Sequence, residues 1–361
     1  MTRLRKFIVA AAILFLALFG GAQFYVKPLG VYFVLGMMIV VIFGIFIKPL
    51  PNPPHEGKGP VRGGAFLIFS PIFIAILISN AANRDISPAT FSRTILFFAF
   101  LIAILGSHEL LSRSDVFNGL ALAGALWPGL YLLARLSDWA DNTNITATWS
   151  VIFVAISLAG RNWWVLLAHA VMLLWLNSQG AILGAIVAAG VMIYPFWRPN
   201  AKTVAIGGVG IITGLITWQP AMARIRLYYW QHAGSAFLAY PIFGVGPGGL
   251  CARNIIPEWG GGYQTHAHNI LASTAAELGL VGLAAGVIMI WLITRFGWQM
   301  TRWQLAAVAG MLAHSMVDEP LWWPGPMLAF AIIIGSINVK LTRNSITPQP
   351  TSIDRITPNH R

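Results

Sequence analysis

The chain has 361 residues, 57% of them hydrophobic and only 9% charged, with a net charge of +12. A soluble domain carries about 25% charged residues, so this composition excludes a water-coated globule and favours repeated membrane crossings. The basic residues are scattered singly through short loops, which excludes the basic stripe of a nucleic-acid surface.

Met1 to Lys6 is basic and runs into an apolar stretch with no small-residue cleavage site. It reads as a first membrane helix, not as a cleaved leader. Apolar runs separated by short polar or Pro/Gly breaks then predict crossings over about 7–22, 29–47, 65–80, 94–107, 116–134, 147–160, 163–177, 181–196, 203–218, 269–293, 303–317 and 327–340. The expected fold is all-α and polytopic, with about 12 transmembrane helices in a single domain over residues 1–341. Residues 342–361 are polar, contain Pro348, Pro350 and Pro358, and are expected to form a disordered cytoplasmic tail.

Lysine and arginine set the orientation. With the N-terminus inside, sixteen of the 23 basic residues fall in inner segments. Both termini are therefore expected in the cytoplasm. Trp163, Trp164, Trp197, Trp218, Trp303, Trp322 and Trp323 fall at predicted helix ends, where indole prefers the headgroup layer. The single cysteine, Cys251, cannot form an internal disulfide and reads as a small apolar residue.

One segment departs from this pattern of short connections. Residues 219–268, between the ninth and tenth predicted crossings, form a large outer loop, and long loops are usually functional. It carries Arg224, Arg226, His232, Arg253, Glu258 and His266. The stretch from Arg224 to Phe237 predicts a short amphipathic helix at the interface. The stretch from Pro241 to Gly249 holds Gly244, Gly246 and Gly248, and predicts a tight turn.

The tenth crossing starts at His268-Asn269. After nine intervening residues comes Gly279-Leu280-Val281-Gly282, with Glu277 just before. This spacing resembles the signature of the bacterial O-antigen ligase family. Upstream, Arg226 to Trp230 followed by Tyr240-Pro241-Ile242-Phe243-Gly244-Val245-Gly246 resembles that family's Arg-x3-Trp and Pro-x-x-Gly-x-Gly runs. The resemblance implies transfer of a glycan from a polyprenyl (undecaprenyl) diphosphate carrier to an acceptor hydroxyl. The site would lie at the periplasmic face of the bacterial inner membrane, and the acceptor would be lipid A–core. It also implies a metal-independent reaction that inverts the anomeric centre, with no cofactor. An O-antigen polymerase, whose acceptor is a second lipid-linked glycan, is the alternative within the family. Protein-glycosylating relatives are longer, with an added outer region, and fit less well.

The residue chemistry fits such a reaction. A diphosphate leaving group is met best by guanidinium charge, with Arg226, Arg224 and Arg135 as the outer-face candidates. An acceptor hydroxyl benefits from a general base, the role expected of His268, with Asn269 orienting substrate or ring. His266 adds a second imidazole. Two histidines with no third ligand at a helpful spacing do not make a metal site, so none is expected. Glu277 lies about 13 Å into its helix and reads as structural support, and Gly279 and Gly282 read as sites of close helix packing.

Asp318 and Glu319 read as either holding an arginine or solvated, with solvation favoured, and Arg135 as near Asp138 and Asp141. His169 and His314 read as packed and hydrogen-bonded within helices. One departure from the family pattern stands at Ser178-Gln179-Gly180, where many members carry Ser-Arg-Gly. Gln179 keeps hydrogen bonding at a substrate-binding position but loses the charge. A transporter or lipid flippase would instead use Glu277, His169 and His314, but no internal repeat is visible.

Overall fold

The computed structural model describes residues 64–84, 94–98, 100–104, 111–136, 143–194, 220–257, 264–295 and 300–337. The first, second and ninth predicted crossings, the tail, Asp138, Asp141 and Glu258 lie outside these residues. Among the described residues the regular structure is helical and no strand forms.

The helices are α1 (Gly64–Asn83), α2 (Arg113–Leu136), α3 (Thr143–Ala159), α4 (Trp163–Leu176), α5 (Gln179–Ile193), α6 (Pro220–Ala239), α7 (Gly249–Ala252), α8 (Ile270–Arg295), α9 (Arg302–Ser315) and α10 (Pro324–Gly335). A single 3-10 turn, Pro320–Trp322, precedes α10. Residues 94–98 and 100–104 are also helical. Each predicted crossing within the described residues therefore meets a helix, and the amphipathic segment expected in the large loop is the 20-residue helix α6. Among the described residues, two helices are long and apolar enough to cross a membrane by length and composition, over Arg113–Leu133 and Ile270–Met289. The remaining apolar helices are shorter.

Helix α3 forms the hub. Every side chain from Ile145 to Ser157 is buried, and the helix packs against α2, α4, α5 and α9. Trp149 stacks on Phe153 and lies beside Trp127 of α2. Helices α5 and α9 approach closely because glycines face each other. A Cβ on Gly184 would sit 2.6 Å from the Gly310 carbonyl oxygen, and one on Gly310 would sit 2.7 Å from that of Gly184. Small residues let helix backbones meet in this way. Helix α4 presents Trp163, Trp164, Leu167, Val171, Leu174 and Trp175 outward, all more than half exposed. So much apolar area, indole included, facing out along one helix suits a lipid-facing surface.

Helix α8 is broken at Gly279, where φ is 62° and ψ is −153°. The break exposes backbone groups, and the turn after α6 takes them up. Val245 N–H donates to the Ala276 carbonyl at 2.9 Å and Gly246 N–H to that of Glu277 at 3.0 Å. In return, Leu280 N–H donates to the Pro241 carbonyl at 2.8 Å. Ser79 of α1 closes the junction by donating to the carbonyls of Phe243 and Glu277. Gly279 and Gly282 were expected to admit a neighbouring helix, and this is corrected. A Cβ on Gly279 would lie 2.5 Å from the Ile242 carbonyl oxygen, in a turn, and one on Gly282 would strike Leu278 of its own helix.

Candidate functional site

The site is assembled at the start of α8. Asn269 caps the helix, its Oδ1 accepting from the N–H groups of Leu271 and Ala272, both at 2.9 Å. Its Nδ2 donates to the Met316 carbonyl at 2.8 Å. Four residues on, Ser273 Oγ donates to Glu319 at 2.9 Å and accepts from Ala267 N–H at 2.9 Å. These bonds tie the entry of α8 to the segment after α9 and hold Asp318 opposite His268.

Asp318 and Glu319 are therefore not solvated, as the sequence had implied, but buried at 4% and 3% exposure. The reason is the bonding just described, which draws the acidic pair inward. His268 Nδ1 donates to Asp318 Oδ1 across 2.9 Å. Burial pushes the Asp318 carboxyl upward. The hydrogen bond from His268, together with the charges of His268, His314 and His266, outweighs burial and holds the group well below the usual carboxylate range. An ionised carboxylate only accepts, so His268 Nδ1 carries the proton of this hydrogen bond.

His268 has a left-handed backbone, φ 55°, which is uncommon for a residue other than glycine. Its ring stacks on Tyr229 with centroids 5.6 Å apart and lies 4.3 Å from the His266 ring. The side chain keeps 22% exposure, in contrast to the buried Asp318 behind it.

Arg226 projects from α6 and is buried. Its Nη1 donates to Gln179 Oε1 at 2.6 Å. Burial lowers the pKa of the guanidinium from its ordinary value, and the charge of Asp318 opposes that change. Arginine stays protonated under such conditions. A cavity of about 230 Å³ opens between these groups, lined by Asn144, Met222, Ile225, Arg226, Tyr229, Gln264 and His268. It therefore combines a basic nitrogen, a fixed cation and an aromatic face.

Residues 164–287 match the family model described as O-antigen ligase. Over these residues the chain is similar to the O-antigen ligase family. Neither the curated proteins nor the solved structures compared with it give a match. The segment that matches the O-antigen ligase model contains Gln179, Arg224, Arg226, His266, His268, Asn269, Glu277, Gly279 and Gly282. It ends before Asp318 and begins after Arg135.

Within the O-antigen ligase segment, the expected site residues divide. Arg226 and His268 line one cavity, and Gln179 and His266 touch them directly. Arg224 is exposed, because two residues along a helix turn a side chain roughly 200° away from Arg226. Arg135 is exposed on the last turn of α2 and does not line the cavity. Asn269, expected to orient substrate or ring, caps α8. Glu277 is buried beside the break in α8, and its carbonyl joins the loop junction. His169 is packed and hydrogen-bonded to Ser150 and the Gly124 carbonyl, as expected. His314 lies within reach of Thr148 at 3.4 Å.

Sequence reasoning missed Asp318, Tyr229 and Gln264. Tyr229 had a signal, since it stands three residues after Arg226 and so shares its helical face. Asp318 had none, being 50 residues from His268.

Proposed function

We propose that this protein, like the O-antigen ligase family it resembles over residues 164–287, is a glycosyltransferase acting at the outer face of a bacterial inner membrane through about twelve crossings. It moves a glycan from a polyprenyl diphosphate carrier to an acceptor hydroxyl on lipid A–core. The observation that carries this reading is the pairing of His268 with Asp318 beside Arg226 in one cavity.

The chemistry follows from those groups. His268 Nε2 takes the proton of the acceptor hydroxyl as its oxygen bonds to the anomeric carbon. The carbon–oxygen bond to the diphosphate breaks, and its electron pair leaves with the phosphate oxygen. Asp318 keeps the ring in the useful tautomer and stabilises the imidazolium that forms. Arg226 meets the charge gathering on the diphosphate, where a low dielectric strengthens the interaction. Attack opposite the leaving group inverts the anomeric centre. Tyr229 offers an aromatic face to a sugar ring. None of these roles requires a metal.

Purified protein in detergent, given labelled lipid-linked glycan with lipid A–core and unlabelled lipid-linked glycan as competing acceptors, tests the reading. Label on lipid A–core supports the ligase. Label extended onto lipid-linked glycan makes the protein a polymerase. No transfer to either acceptor by folded protein rejects glycosyl transfer. Activity outside a sealed vesicle also separates transfer from transport.

A further inference from the structure

His266, His268 and Asp318 each offer one ligand atom, and these three atoms lie within 4.8 Å of one another. Spacing along the chain provided only two imidazoles, and the fold adds a carboxylate. Asp318 and His266 are both more than nine-tenths buried. Asp318 Oδ2 is enclosed and has no hydrogen-bond partner among the described residues. A buried carboxylate oxygen left in this state is costly, and a cation would satisfy it.

We infer that this trio is a binding site for a divalent transition-metal ion, and that occupation of the site inhibits the enzyme. The inference rests on the glycosyl-transfer reading for its inhibitory part and on geometry alone for its binding part.

Two imidazoles and a carboxylate suit zinc and its neighbours, whereas magnesium and calcium prefer oxygen ligands throughout. Arg226 interacts electrostatically with Asp318 and opposes any added cation. That opposition favours ions whose bonds to imidazole are strong. The conflict with catalysis follows from the valence of the His268 ring. A metal on Nδ1 replaces the proton donated to Asp318. A metal on Nε2 occupies the lone pair that accepts the hydroxyl proton. Either way the ring no longer serves as a base, so the ion competes with turnover instead of assisting it.

The test uses full-length protein in detergent, stripped with a chelator and titrated with zinc chloride alone against a chromophoric zinc indicator. Wild-type protein is expected to take up zinc, with magnesium failing to compete. His266→Ala and Asp318→Asn are each expected to weaken the uptake. Loss of an outer-sphere partner alone costs about 10-fold or more, so loss of a ligand costs at least as much. His266→Gln, closer in size, serves if the alanine variant unfolds. In the transfer assay, zinc should suppress product at the concentration that fills the site, and chelator should restore it. Absence of zinc uptake by folded wild-type protein overturns the inference, as does uptake unchanged in both variants. Zinc uptake without any detectable transfer leaves the site standing and removes the catalytic reading. Transfer that is insensitive to zinc at a filled site overturns the inhibition.

Discussion

Arg226 Nη1 donates to Gln179 Oε1 across 2.6 Å, joining the loop helix α6 to the first turn of α5. The family pattern places a second arginine where Gln179 stands. Here the glutamine carbonyl positions the buried Arg226 guanidinium without neutralising it. Arg226→Ala is expected to cut turnover by roughly 10²–10³, the usual cost of removing one aligned donor to developing charge. Arg224→Ala should cost much less, because Arg224 is exposed on another side of α6.

Gln179→Leu removes the acceptor and leaves Arg226 Nη1 short of a buried partner, at a cost of about 1–3 kcal/mol. Thermal unfolding in detergent should show the loss, and turnover should fall with it. Gln179→Glu should keep the fold and lower turnover, because the new carboxylate pairs with the cation needed by the diphosphate. A Gln179→Glu variant as active as wild type would contradict this role.

Asp318 leads to a pH prediction with a definite sign. Its carboxyl is held well below the usual range by His268, His314 and His266, with Arg226 also near. A depressed folded-state pKa stabilises the protein fully above the unfolded value of about 3.9, and this stabilisation is lost as pH falls through the folded value. The gap in unfolding temperature between wild type and Asp318→Asn should therefore shrink as pH falls below about pH 4. A gap that stays constant below about pH 4 would contradict this assignment.

The break in α8 makes a prediction about folding. Gly279→Ala combines a positive φ with a Cβ 2.5 Å from the Ile242 carbonyl oxygen. Both penalties act on the junction that carries the cavity. The variant should lose several kcal/mol of stability, in the range reserved for backbone and packing faults, and should express poorly. Gly286→Ala is the control, since a Cβ there meets nothing within 4 Å.

Much of this arrangement was legible from residue order. Apolar runs located the helices because lipid demands that backbone groups pair within each segment. The run from Pro241 to Gly246 and the pair Gly279 and Gly282 were visible as motifs, and the structure joins the first to Gly279 by reciprocal backbone bonds. Their partnership was not legible, because it depends on a helix break that length and hydropathy do not encode. Asp318 was misread as solvated for a similar reason. Its burial comes from bonds that Asn269 and Ser273 make to Met316 and Glu319, far along the chain. Asn269 was expected to orient substrate or ring because it adjoins His268, and its type and place at a helix start also fit the cap it forms.

Turnover of labelled polyprenyl-diphosphate-linked glycan by purified His268→Ala, set beside wild type, bears most directly on whether an imidazole base drives transfer. Wild type should yield glycosylated acceptor. The variant, unfolding at the wild-type temperature, should lose about 10²–10⁴-fold in rate. Equal product from both proteins would contradict the assignment of His268 as the base.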